Sequence, residues 1–106
     1  MPVTRTSNQR CRVHVRACEP FKASHLYGER ITSRVYAVFS YGPHWPLFVN
    51  VDGRWFANTE KYSPTTTRHA SYASPGSRYT PITCEQARNL VRFAQQDAAM
   101  QRAAAA

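Results

Sequence analysis

The sequence predicts an α+β fold: a small antiparallel sheet of about four strands with one C-terminal helix packed on it. Three observations predict it. Two runs rich in β-branched and aromatic residues flank the pair Asp52-Gly53, and an Asp-Gly pair between such runs is a strong hairpin signal because both turn residues take positive φ. Upstream, residues alternate in the period of a strand. Near the end, Thr83-Cys84-Glu85-Gln86 has the form of a capping box opening a helix.

Along the chain, Met1 to Gln9 is polar and reads as a loose terminus, followed by one domain over 10–97. From Arg10 the residues alternate: Cys11, Val13, Val15 and Ala17 against Arg10, Arg12, His14 and Arg16, which reads as a half-buried strand with one basic face. Such a face either protects a sheet edge or meets a ligand. Glu19-Pro20 breaks the run. Arg34 to Tyr41 alternates again with apolar residues on both faces, as a central strand does. Across the hairpin, Leu47, Val49 and Phe56 are expected on one face, with Phe48, Trp55 and Ala57 on the other. The stretch from Tyr62 to Pro81 holds three prolines and Gly76 and reads largely as loop. In the final helix Cys84, Ala87, Leu90, Val91, Ala94 and Ala98 fall on one stripe, opposite Arg88, Arg92, Gln95 and Arg102. The alanine-rich tail over 98–106 continues that helix or frays from it.

With 106 residues and 42% hydrophobic residues the chain can bury one modest core. The formal net charge of +8, from 14 Lys+Arg against 6 Asp+Glu, favours polyanionic partners. Residues 1–34 hold seven of these cations (Arg5, Arg10, Arg12, Arg16, Lys22, Arg30, Arg34) and only two acids, Glu19 and Glu29. Twelve of the 14 cations are arginine, a bias that genomic composition can also produce. The first residues lack the apolar run of a signal peptide and no stretch is apolar enough to span a membrane, so a cytoplasmic location is expected. Cys11, Cys18 and Cys84 read as free thiols.

The segment Lys61-Tyr62-Ser63-Pro64-Thr65-Thr66-Thr67-Arg68-His69 concentrates hydroxyls beside a histidine. His69 with Tyr62, Ser63, Thr65 and Thr66 could supply a general base and a nucleophile, but no third group to orient the base is adjacent in sequence, and Asp52, Glu60 and Glu85 qualify only if the fold brings them close. A side-chain-to-backbone network that fixes a loop is the expected role. Cys11, His14, Cys18 and His25 do not have zinc-site spacing, since on one strand Cys11 and His14 face opposite ways. Neither a phosphate loop nor a dinucleotide fingerprint is present, so no cofactor is expected.

The run Tyr36-Ala37-Val38-Phe39-Ser40-Tyr41-Gly42, the aromatic-flanked hairpin, and Tyr62-Ser63-x-Thr65-Thr66-x-x-His69 together resemble a family of small uncharacterised bacteriophage proteins. These share an S-Y-G strand end and a Y-S-x-T-T-x-x-H segment. The likeness covers roughly Phe21 to Tyr72, with Pro43-His44-Trp45-Pro46 as a stiff insertion after Gly42. It implies a phage or prophage origin, hence the host bacterial cytoplasm, and no catalytic assignment. The expected function is that of a non-enzymatic accessory protein binding nucleic acid or a host nucleoprotein, its most concrete form an anti-defence, anti-CRISPR-like inhibitor. Arg10, Arg12, Arg16, Arg34, Lys61, Arg68, Trp45 and Tyr62 are the candidate contacts. Two other classes stay open: a protein-only interaction module anchored on Trp45, Trp55 and Tyr62, and a small hydrolase or transferase centred on His69.

Overall fold

The Asp52-Gly53 turn sits at the tip of a hairpin formed by β5 (Pro46–Val51) and β6 (Arg54–Asn58). Asp52 has φ 52° and Gly53 φ 87°, as a tight two-residue loop requires, and Val51 pairs with Arg54 and Val49 with Phe56. Gly53→Val should therefore cost on the order of 1 kcal/mol or more. No neighbouring atom lies near the added Cβ, so the cost is conformational. Thermal denaturation checks it: a Gly53→Val protein melting at the wild-type temperature would rule out this turn type.

The hairpin belongs to a larger sheet. The computed structural model describes residues 3–60 and 63–105, and among them the strands β1 (Thr4–Arg5), β2 (Phe21–Lys22), β3 (Leu26–Arg30), β4 (Val35–Ser40), β5, β6 and β7 (Tyr79–Ile82) lie side by side in chain order. The sheet is mixed, with seven strands in place of about four. β1 pairs parallel with β2, and β6 pairs parallel with β7; between them every pairing is antiparallel. Thr4–Arg5, within the stretch expected to be loose, thus closes one edge.

Helices cover both faces. The C-terminal helix α3 (Cys84–Ala105) starts as the capping box requires: the Thr83 Oγ1 accepts from the Gln86 N–H at 3.1 Å, and the Gln86 Oε1 accepts from the Thr83 N–H at 2.9 Å. Its buried stripe, Ala87, Val91 and Ala94, packs on Val35, Ala37, Phe39 and Val49. The tail over 98–105 continues as helix. On the other face Phe21, Leu26, Tyr36, Val38, Phe48 and Trp55 form a second core.

That second core is closed by two helices absent from the sequence expectation. Residues 10–17 do not form a strand, because Arg12–Arg16 is a short helix, α1. Its Cys11 and Val15, four apart, are fully buried while Val13 is 69% exposed. This is helical burial; a strand would bury all three. The expected basic strand face therefore does not exist. Pro64–Tyr72 forms α2 where loop was expected, with Ala70, Tyr72 and Ala73 meeting the same core. A further correction concerns Leu47, which packs with Phe48 rather than opposite it. The register between β4 and β5 shifts between Val38 and Phe39, so that Val38 faces Phe48 and Phe39 faces Pro46. The extra residue at this bulge breaks the alternation.

Candidate functional site

α2 owes its start to Ser63 and Pro64. Ser63 has extended backbone and its hydroxyl accepts from the Thr66 N–H at 3.1 Å, satisfying a donor that the helix leaves unpaired. Pro64 fits the first turn because its missing N–H would have no partner there. The Thr67 hydroxyl donates to the Ser63 carbonyl at 3.2 Å. The hydroxyls of the segment therefore fix a helix N-terminus rather than a loop.

One helical turn further on, α2 delivers His69 to the sheet. Its Nδ1 lies 2.7 Å from the hydroxyl oxygen of Ser40, the last residue of β4. Ser40 is 1% exposed and His69 4%, so this is a buried pair joining α2 to the central strand. It joins the S-Y-G and T-T-x-x-H segments, 29 residues apart. Alternation puts Ser40 on the same face of β4 as Tyr36 and Val38, towards α2.

The next residue departs from ordinary backbone. Tyr41 has φ 67° and His25, opposite it, φ 54°. Left-handed backbone at bulky residues is uncommon and is kept only where the surroundings enforce it. Here the Tyr41 N–H donates to the His25 carbonyl at 2.8 Å. The two rings stack at 4.9 Å with 22° between planes, and Tyr41 also meets the His69 ring at 5.5 Å. His69 is thus held between Ser40 and an aromatic layer. Burial, then the nearby His25, hold its pKa below the ordinary histidine value, which favours the neutral imidazole.

Ser40, Tyr41, Trp45, Thr66 and Arg88 line a cleft of about 310 Å³ with Gly42 and His44. Its outer wall is tied to α3, since the His44 carbonyl accepts from the Arg88 Nε at 2.7 Å. His69 itself borders a different, more polar cleft, shared with Thr65, Arg68, Asn8 and Ser24. Among the described residues no carboxylate bonds to His69, and none of the His, Cys, Asp and Glu side chains form a group of three placed to hold a metal ion. The thiols are no substitute nucleophile, because burial raises all three, Cys11 up to about 11, leaving them protonated.

Arg68 shares the His69 cleft; the other candidate cations fall elsewhere. Arg12 on α1 donates to the Ser71 carbonyl at 3.2 Å, and Arg16 lies against Gly76. Arg16 also borders a cleft of about 490 Å³ with Arg30 and Arg34. Arg30 donates to the Cys18 and Ser33 carbonyls. Arg34 forms a two-pronged ion pair with Asp52 at 2.8 and 2.6 Å. That pair lowers the Asp52 pKa. Arg10 is exposed in the turn before α1, where its N–H donates to Ser7. Lys61 and Tyr62 lie outside the described residues. Trp45 is half-buried against the core and Trp55 is 7% exposed within it, so Trp55 cannot serve as a surface anchor.

Sequence reasoning named His69 but missed its partner Ser40, the backbone at Tyr41 and His25, and Arg30 beside Arg16. A serine ending an otherwise apolar central strand was the available signal for Ser40. Comparison with protein-family models, with curated proteins and with solved structures finds no match in any of the three.

Proposed function

We propose that this chain is a small phage-type accessory protein that binds nucleic acid or a host nucleoprotein, with anti-defence inhibition, including an anti-CRISPR role, as its most concrete form. What carries the reading is a track of guanidinium groups. Arg16 borders two clefts at once, one shared with Arg12 and the other with Arg30 and Arg34, so four arginines follow one another across the α1 side of the sheet. Among the described residues Asp52 is the one acid lining either cleft, and Arg34 pairs with it. Arg30 and Arg12 are braced by backbone carbonyls, which reduces the entropy lost when a phosphate binds. Arginine suits this task because its fork matches phosphate oxygens. The function at this track is binding without turnover.

Fluorescence anisotropy with labelled single-stranded and duplex DNA and RNA tests the proposal. Affinity should fall steeply with salt as counterions return to the phosphates. Arg12→Ala with Arg16→Ala should weaken binding at least about tenfold at low salt and flatten the salt slope by about two contacts. Absence of binding to every probe, or a double variant that binds as wild type does, would end the nucleic-acid reading. The protein-only alternative has one observation in its favour: Phe93 and Met100, two turns apart on α3, are 60% and 69% exposed. Such a contact with a partner would be insensitive to salt.

A further inference from the structure

Beyond the arginine track, a second site lies across the sheet end, and we propose that Ser40 is a nucleophile activated by His69, acting on small carboxylic esters with an apolar acyl group. The 2.7 Å separation of the Ser40 hydroxyl from His69 Nδ1 is the hydrogen-bonded contact that a nucleophile and its base require. With the imidazole proton on Nε2, Nδ1 accepts the hydroxyl. A third group usually fixes the base; here the Tyr41 ring, stacked in turn on His25, and the capped helix α2 hold the imidazole. Left-handed backbone at both Tyr41 and His25 concentrates strain beside these two groups, as functional sites do. The neutral state favoured by burial is the one that can take a proton.

The cleft selects the substrate. Its volume of about 310 Å³ is at the small end of ligand pockets, and its mostly apolar lining, which includes Tyr41 and Trp45, suits a short apolar acyl chain. Arg88 also lines this cleft and supplies a cation to it that can meet a developing oxyanion. The chemistry balances without a cofactor. The Ser40 proton passes to His69 Nδ1 as the oxygen bonds to the ester carbonyl carbon. Collapse breaks the bond from that carbon to the alkoxide oxygen, and the alkoxide leaves with the proton from Nδ1. Water then attacks the acyl-serine, giving a proton to Nδ1. The second collapse releases the carboxylic acid and returns the proton to Ser40.

A fluorophosphonate probe reads this directly on the full chain. Intact-mass and peptide mass spectrometry should find one adduct per molecule, on Ser40. His69→Gln should slow its formation by about 10²-fold or more, the usual contribution of a general base, with near-ultraviolet circular dichroism confirming the fold. p-Nitrophenyl butyrate should be hydrolysed by wild type and not by Ser40→Ala. A folded wild-type protein that gains no adduct, or gains it on another residue, overturns the proposal without any variant. Equal labelling of His69→Gln and wild type removes the base.

Discussion

Gly28→Val is expected to be the most damaging single substitution in this chain, costing about 3 kcal/mol or more, a large part of the stability of a domain this size. Gly28 is buried in β3, paired with Phe21 on β2 and Val38 on β4. A Cβ there would lie 2.7 Å from Cδ1 of Phe21 and would meet the Tyr36 hydroxyl. Neither neighbour can yield. Phe21 and Tyr36 are each 1% exposed, and the Tyr36 hydroxyl donates to the Glu19 carbonyl at 2.8 Å. Displacing Tyr36 would strand a buried donor and acceptor at about 1–3 kcal/mol, on top of about 1–3 kcal/mol for overpacking. Gly42, with open space around its position, is the control, and Gly42→Ala should stay within about 0.5 kcal/mol. Urea unfolding measures both. A Gly28→Val midpoint close to wild type would mean that β2 and β3 do not approach as described.

What could be read in the sequence was local. The Asp52-Gly53 turn and the Thr83-Gln86 box are complete within four residues, and both stand in the structure. The helices α1 and α2 were hidden for different reasons. In α1, Cys11 and Val15 satisfy the strand period and the helix period together, and five residues are too few to separate them. In α2 the buried positions Thr66, His69 and Ala73 have helical spacing, but two are polar, so no hydrophobic stripe marks the turn. The signal that was present, Ser63 followed by Pro64, is a helix start. Parallel edge pairings such as β6 with β7 depend on contacts distant in sequence. The Ser40–His69 contact depends on both hidden features, a helix over 64–72 and its placement against β4. No reading of the hydroxyl-rich segment alone could supply Ser40.

The pH dependence of stability should carry the mark of His69. Its pKa is lowered in the folded protein by burial and by His25, whereas an unfolded chain leaves it near the ordinary value of about 6.5. Between the two values the unfolded state binds more protons, so stability rises with pH there. The contribution is fully present above about 6.5 and is lost as the pH falls towards the folded value. One proton allows a slope of at most about 1.4 kcal/mol per pH unit. The Asp52 carboxyl, lowered by Arg34, acts in a separate and more acidic window. His69→Gln cannot titrate and loses a well-placed partner for Ser40, so at pH 8 it should be less stable by about 1–3 kcal/mol. That gap should narrow as the pH is brought to 5, because only wild type pays for protonation. Melting temperatures of both proteins from pH 8 to 5 provide the measurement. Parallel curves would show that His69 is not held neutral by the fold, and with that the case for a free imidazole base beside Ser40 would lose its electrostatic support.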